Sequence, residues 1–281
     1  ASSAIISTGS AAHASNTFFF TDKEEYGIRY VDVNGNLQTW YQGDGTWQSL
    51  NPVGIAYDVS EDAVYVGDYS KSDIFKIDNT GSKTLLSDLP EPYVFRILLN
   101  SSDSKLYVSA RGGIYEIDLT NNNPSTNYRL VVGTGRSGYS DTGLATTSQV
   151  FFPHGMAFDS SGRLVFTDRY NDIIRRVNLS EGTIETIAGK IGQGVESGDG
   201  GLAVNATFAD PSGLVINGND EIFISERSSK RIRKIDVNGN IDTFFRVSSG
   251  GFADDIVISD TGELYLLTSN LVAQVATLSI L

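Results

Sequence analysis

The chain has 281 residues, 40% of them hydrophobic, enough for one large domain with a sizeable core. Its 21 Lys plus Arg against 34 Asp plus Glu give a formal net charge of −13, which disfavours a nucleic-acid phosphate backbone as a partner. Cysteine is absent, which excludes disulfides, thiolate nucleophiles and Cys-ligated metals.

The charge is uneven: residues 161–235 hold 10 basic and 10 acidic residues, so the whole excess lies elsewhere. The sequence begins ASSAIISTGS, without Met and without an apolar run of signal-peptide length, as a processed or excised chain would. No run approaches the ~18 apolar residues of a membrane span, so no membrane insertion is expected. Three sequons, at Asn100, Asn178 and Asn205, are no more than so Asn-, Ser- and Thr-rich a chain gives by chance.

Taken in chain order, one unit recurs. STGSAAHASNTFFFTD at 7–22 is followed by NPVGIAYDVSEDAVYVGD at 51–68 and EPYVFRILLNSSDSKLYVSA at 91–110. PHGMAFDSSGRLVFTD at 153–168, DPSGLVINGNDEIFISE at 210–226 and FADDIVISDTGELYLLT at 252–268 complete six copies. Residues 7–22 align with 153–168 without a gap, Gly9 falling on Gly155 and Asp22 on Asp168. Six residues beyond Asp22, Asp68, Asp168 and Glu226 stand Ile28, Ile74, Ile174 and Ile232, each opening a short alternating run such as IRRVN or IRKID. A turn and a fourth apolar run follow. Each unit is therefore four short strands joined by turn residues.

Repeats of this length with four strands apiece predict an all-β, six-bladed β-propeller of four-stranded antiparallel blades. The expected blades are 7–50, 51–90, 91–150, 151–209, 210–250 and 251–281 with 1–6, a single domain over 1–281. The last copy ends in ATLSIL, leaving little for a fourth strand, and the N-terminal ASSAII resembles an outer strand. Residues 1–6 are thus expected to pair with blade six and close the ring.

The stretch PHGMAFDSSGRLVFTDRYNDIIRRVN at 153–178 resembles the NHL repeat, as does the SGDGGLA connector at 197–203. The likeness is strongest over 133–236. It implies a six-bladed propeller and an extracellular setting but no single activity, since such propellers include RNA binders, interaction modules and a zinc-dependent lyase.

In such a blade the loops from strand two to three and from blade to blade share one face, here called the top. The long connectors at 133–152 and 189–210 lie there, and long loops on a rigid scaffold carry function. The Gly-rich 189–201 lacks the Gly-Lys-Ser/Thr of a phosphate loop. It reads as a blade connector in which Asp199, like Asp141, caps a turn. Calcium is the lesser possibility, because the alternating carboxylates of a calcium loop are missing.

One residue per blade is expected to point to the axis near the top: Thr8, Val53, Tyr93, His154, Ser212 and Asp254, with Asp255 adjoining. A His facing an Asp there is a candidate general base or metal ligand; a polar, water-filled mouth is the plainer reading. His13 falls on Asp159, at the far end of its strand, so His13 and His154 cannot share a metal, against the three-histidine zinc site of the NHL-like lyase. Aromatics on the top loops, Trp40, Tyr41, Trp47, Tyr69, Tyr93, Tyr139 and Tyr170, suit sugar stacking or a protein hot spot. Arg169 and Arg227 occupy equivalent positions after the second strand. Arg175, Arg176, Arg231, Arg233 and Lys234 are expected on solvated edges. The function expected is non-catalytic recognition of a protein or glycan through Thr8, Trp47, Tyr93, Tyr139, His154, Arg169, Tyr170, Ser212, Arg227 and Asp254, without a cofactor and without nucleic acid. The alternative is a hydrolase or lyase at the channel mouth around His154 and Asp254.

Overall fold

The computed structural model describes residues 8–14, 17–22, 25–43, 50–91, 93–247, 251–259 and 262–268. Among the described residues, runs rich in β-branched and aromatic side chains form twenty-three strands. Blade one is β1–β4 (Thr8–Ala14, Thr17–Asp22, Gly27–Val31, Leu37–Tyr41). Blade two is β5–β8 (Pro52–Asp58, Ala63–Asp68, Asp73–Asp78, Lys83–Asp88). Blade three is β9–β12 (Val94–Asn100, Lys105–Ala110, Gly113–Asp118, Tyr128–Gly133) and blade four is β13–β16 (Pro153–Phe158, Leu164–Asp168, Ile173–Asn178, Thr183–Ala188). Blade five is β18–β21 (Pro211–Ile216, Ile222–Glu226, Arg231–Ile235, Asn240–Arg246), with the two-residue β17 (Gly201–Leu202) added outside β21. A sixth sheet pairs β22 (Ala253–Ile258) with β23 (Leu264–Thr268).

The protein is thus a β-propeller of four-stranded antiparallel blades, five of them complete among the described residues. Its core is a set of clusters between neighbouring sheets: Phe19 and Ile28 of blade one meet Val64 and Ile77 of blade two, and Val165 and Ile174 of blade four meet Leu214 and Ile224 of blade five. Ala11 and Phe20 of blade one pack with Val257 of the sixth sheet. The inner strands of all six sheets line one axial channel. The expected clasp, residues 1–6, lies outside the described residues. Among the described residues no helix is long and apolar enough to cross a membrane.

Side-chain turns set the lower face. Asp32 Oδ1 accepts the backbone N–H groups of Asn34 and Asn36, and Asp236 Oδ1 those of Asn238 and Asn240, each at 2.8–2.9 Å. Gly35 and Gly239, both at φ 80°, take the left-handed position these turns require.

The connectors behave differently from expectation. Asp199 does not cap a turn. Its carboxylate accepts Arg233 Nη2 and Thr243 Oγ1, each at 2.7 Å, and Arg231 Nη1 lies 3.6 Å away. Arg233 also donates to the carbonyls of Thr207 and Ser197. Blade four repeats this: Arg175 lies 3.3 Å from Asp141 and donates to the carbonyls of Gln149 and Ser140. Arg175, Arg231 and Arg233 are buried, not on solvated edges as expected. The connector folds back over the third strand and covers the arginines that strand alternation turns toward it. Arg176, the next residue, is on the other side of the strand, paired with Glu185.

This contrast is measurable. Arg175→Met is expected to cost about 3 kcal/mol, because it takes the cation away from two backbone carbonyls and from the buried Asp168 carboxylate. Arg176→Met should cost under ~1 kcal/mol, as exposed pairs do. Equal losses in denaturant unfolding would refute the strut role of Arg175.

Candidate functional site

The top face begins with a carboxylate. Asp68, Asp168 and Glu226 end the second strands of blades two, four and five, fully buried. Each accepts the backbone N–H seventeen residues upstream: Asn51 at 3.3 Å, Phe151 at 2.7 Å and Ala209 at 3.0 Å. This pins the chain just before it enters the innermost strand, where the mouth residues sit. Asp168 also accepts Asn171 Nδ2 at 2.9 Å, and Arg175 Nη1 lies 3.7 Å away. Burial outweighs these partners and pushes the Asp168 pKa up to about 7.

Strand register decides which residues ring the axis. Met156 pairs with Phe166, Leu214 with Ile224, Ile256 with Leu266, Ile55 with Val66, Ile97 with Val108 and Ala11 with Phe20. His154, Ser212, Asp254 and Val53 are therefore equivalent, as expected. Two expected members are not. Blade three supplies Phe95 where Tyr93 was expected, because the spacing of its Pro92 differs from that of the other blades' prolines. Blade one supplies Gly9 in place of Thr8, because Ala11 pairs with Phe20 as Met156 does with Phe166, one residue off the gapless alignment. The same shift sets His13 against Phe158, still at the far end from the mouth.

Around the mouth, blades two to four carry an aromatic arc. Tyr69 lies 5.1 Å from Tyr93 and 6.2 Å from Phe95, ring centroid to centroid. Phe95 lies 5.0 Å from Phe152 and 5.9 Å from His154, and Phe152 lies 4.7 Å from Tyr170. Tyr93 is 37% exposed and Tyr170 49%. Blades four to six carry an ionic chain. Arg169 grips Asp210 through Nε at 2.5 Å and Nη2 at 3.0 Å, and Arg227 Nε donates to Asp254 at 2.6 Å, with Arg227 Nη1 4.0 Å from Asp210. In blades four and five the arginine after the second strand pairs with an acid at the start of the next sheet. Arg169 also lies over the Tyr170 ring and Arg227 over Phe252.

Tyr93, Phe152 and Asp210 occupy one equivalent rim position and share positive φ, 69°, 56° and 60°. That conformation costs an L-residue about 1–2 kcal/mol, and strain of this kind concentrates at functional sites. His154 Nδ1 stands 3.5 Å from Ser212 Oγ. Below the mouth, in the positions that Gly54, Gly155 and Gly213 hold elsewhere, Arg96 and Asp255 form a buried two-pronged ion pair that fills the channel.

Other expected residues lie apart. Tyr139 sits on the blade-four connector, its ring 5.6 Å from the Arg175 guanidinium. Trp40 and Tyr41 are on β4, not a top loop; Trp40 packs on Phe19 and Tyr57 between blades one and two and donates to the Ile77 carbonyl. Trp47 lies outside the described residues. Sequence reasoning missed Phe95, Phe152, Asp210, Phe252 and Arg96, and named Asp255 only as adjoining Asp254. The signal available was the residue preceding each Pro-x-Gly, which reads Phe in blade four and Asp in blade five. A cavity of about 550 Å³ lies low between blades four and five, lined by Arg176 and Glu185 of one and Ile222 and Ile235 of the other; it is remote from the mouth.

Among characterised proteins, the chain is 24% identical over 266 residues to Protein SUPPRESSOR OF QUENCHING 1, chloroplastic, of Arabidopsis thaliana. The match covers 81% of this chain and 24% of that protein, so the chain spans about a quarter of the relative's length. No family model matches. Two solved structures share the propeller fold. A catalytically inactive virginiamycin B lyase from Staphylococcus aureus with quinupristin gives a TM-score of 0.66 at 14% identity, over 96% of this chain and 80% of that one. A chain of a nidogen/laminin complex gives 0.64 at 16%, over 85% and 80%.

Asp168 yields a pH prediction. Its native pKa is raised above the unfolded value of ~4, so the stability it contributes is full below that value and is lost as pH rises through about 7. Asp168→Asn removes the titration. Thermal unfolding of the wild type relative to this variant should worsen steadily from pH 5 to pH 8; parallel curves would refute the raised pKa.

Proposed function

We propose that the chain is an NHL-type propeller that binds a protein or glycan partner on its top face, without catalysis. The observation that carries this is the aromatic arc of Tyr93, Phe95, Phe152 and Tyr170, exposed at its two tyrosines and half-buried at its two phenylalanines, set against the interlocked chain Arg169–Asp210–Arg227–Asp254. Tyr and Arg anchors held in place before binding lose little freedom on association. The two arginines and two acids cancel, so the face favours a neutral or mixed partner over a strongly charged one. A propeller of the same fold in a nidogen/laminin complex supports a protein ligand. The first reading includes six blades: the packing of Ala11 and Phe20 against Val257 supports β22–β23 as a sixth blade next to the first, and the proposal that residues 1–6 supply its outer strand rests on their sequence alone.

The lyase neighbour keeps a second reading in view, acid–base work at His154. The geometry gives it less: Asp254 is engaged by Arg227 rather than by His154, and among the described residues no group of three His, Cys, Asp or Glu is placed to hold a metal.

The test is to screen wild type against a glycan array and a displayed-peptide library, then measure each hit with Tyr93→Ser/Tyr170→Ser. The expected outcome is at least tenfold weaker binding for the double variant and no change for Asn238→Ser in a lower turn. Loss with Asn238→Ser and retention with the tyrosine pair would place binding on the other face.

A further inference from the structure

We propose that the Arg96–Asp255 pair is a latch that holds the β22–β23 sheet in the ring from across the axis, so that the mouth is a blind, one-sided cup only while the pair is made.

Four observations carry this. At this level of the channel the inner strands come close enough that a Cβ on Gly54 would lie 2.9 Å from the Arg96 backbone, and one on Gly213 2.7 Å from Asp255 Oδ1. Glycine thus lets the strand beside Arg96 approach its backbone and leaves room for the Asp255 carboxylate. Both partners are buried, and both guanidinium prongs meet both carboxylate oxygens. The pair joins residues 159 apart in sequence, from β9 and β22. Asp255 is tied locally as well, accepting the N–H of Ile256 at 2.8 Å, so its carboxylate is aimed before Arg96 arrives.

The consequence reaches the mouth. Phe95 and Asp254 directly precede the two partners. The latch therefore fixes the spacing between the aromatic arc and the ionic chain. Beneath it, a channel cavity of about 250 Å³ is lined by apolar residues of all six inner strands, with Arg96 at its roof. A ligand seated at the mouth is cut off from that cavity while the pair is made. Apolar packing on both flanks also holds the sixth sheet, through Ala253 and Ile256 on one side and Val257 on the other. What the latch adds is a bond to the far side of the ring. The idea is independent of which partner the top face binds.

Hydrogen–deuterium exchange of the full chain, read by mass spectrometry, tests it. Arg96→Met and Asp255→Asn should each speed exchange of residues 253–258 and 8–14 at least tenfold, while residues 164–177 stay within twofold of wild type. The reversed pair, Arg96→Asp with Asp255→Arg, should recover most of that protection. If the single variants do not fold but the reversed pair does, the latch is supported. Unchanged exchange at 253–258, an equal rise throughout the chain, or no recovery in the reversed pair would overturn it.

Discussion

The top face depends on one interaction: a buried carboxylate ending a second strand and accepting a backbone N–H seventeen residues upstream. The hairpin alone would leave the incoming chain free above the sheet. The carboxylate ties it down just before the innermost strand, at a point where the backbone cannot pair in the ladder. In blades two, four and five the mouth residue then stands just beyond that tie. Blade three ends its second strand with Ala110 and has no such stitch.

A second constraint is the close approach of the inner strands. Gly155 has no room for a Cβ against the Ser212 carbonyl and the Leu214 N–H, and Gly213 none against Asp255. The hydroxyls of Thr167 and Ser225 use this closeness: they accept the N–H groups of Gly155 and Gly213, and Thr167 donates onward to the Ser212 carbonyl. Polar groups near the axis are thereby satisfied without water. Two sheets give up glycine and place opposite charges there, where a lone charge would be costly.

The two long connectors do structural and surface work together. Each brings an aspartate to a buried arginine of the third strand, Asp141 to Arg175 and Asp199 to Arg233. Each also covers an outer edge: Leu144 bridges to Thr183, and Gly201–Leu202 extends the sheet beyond β21. An uncovered edge invites pairing with another chain. The glycines at 189–201 serve this wrapping, giving the loop the left-handed turns it needs to pass over the blade rim.

The sequence alone determined the repeat, its four short strands and the side on which the long loops lie, because strand alternation and turn chemistry are local and recur in each copy. It also put His154, Ser212 and Asp254 at equivalent positions of their strands, since Pro-x-Gly or its equivalent marks the place. It did not determine that Phe95 and not Tyr93 stands level with His154, because aligning on proline misplaces blade three by two residues and only cross-strand pairing reveals this. Nor did it determine that Arg175 and Arg233 are buried, that Arg169 meets Asp210, or that Arg96 crosses the channel to Asp255. Those partners lie in other blades or in connectors that fold back. Which charge neutralises which is decided by the packing of sheets around an axis, a distance that spacing along the chain does not encode.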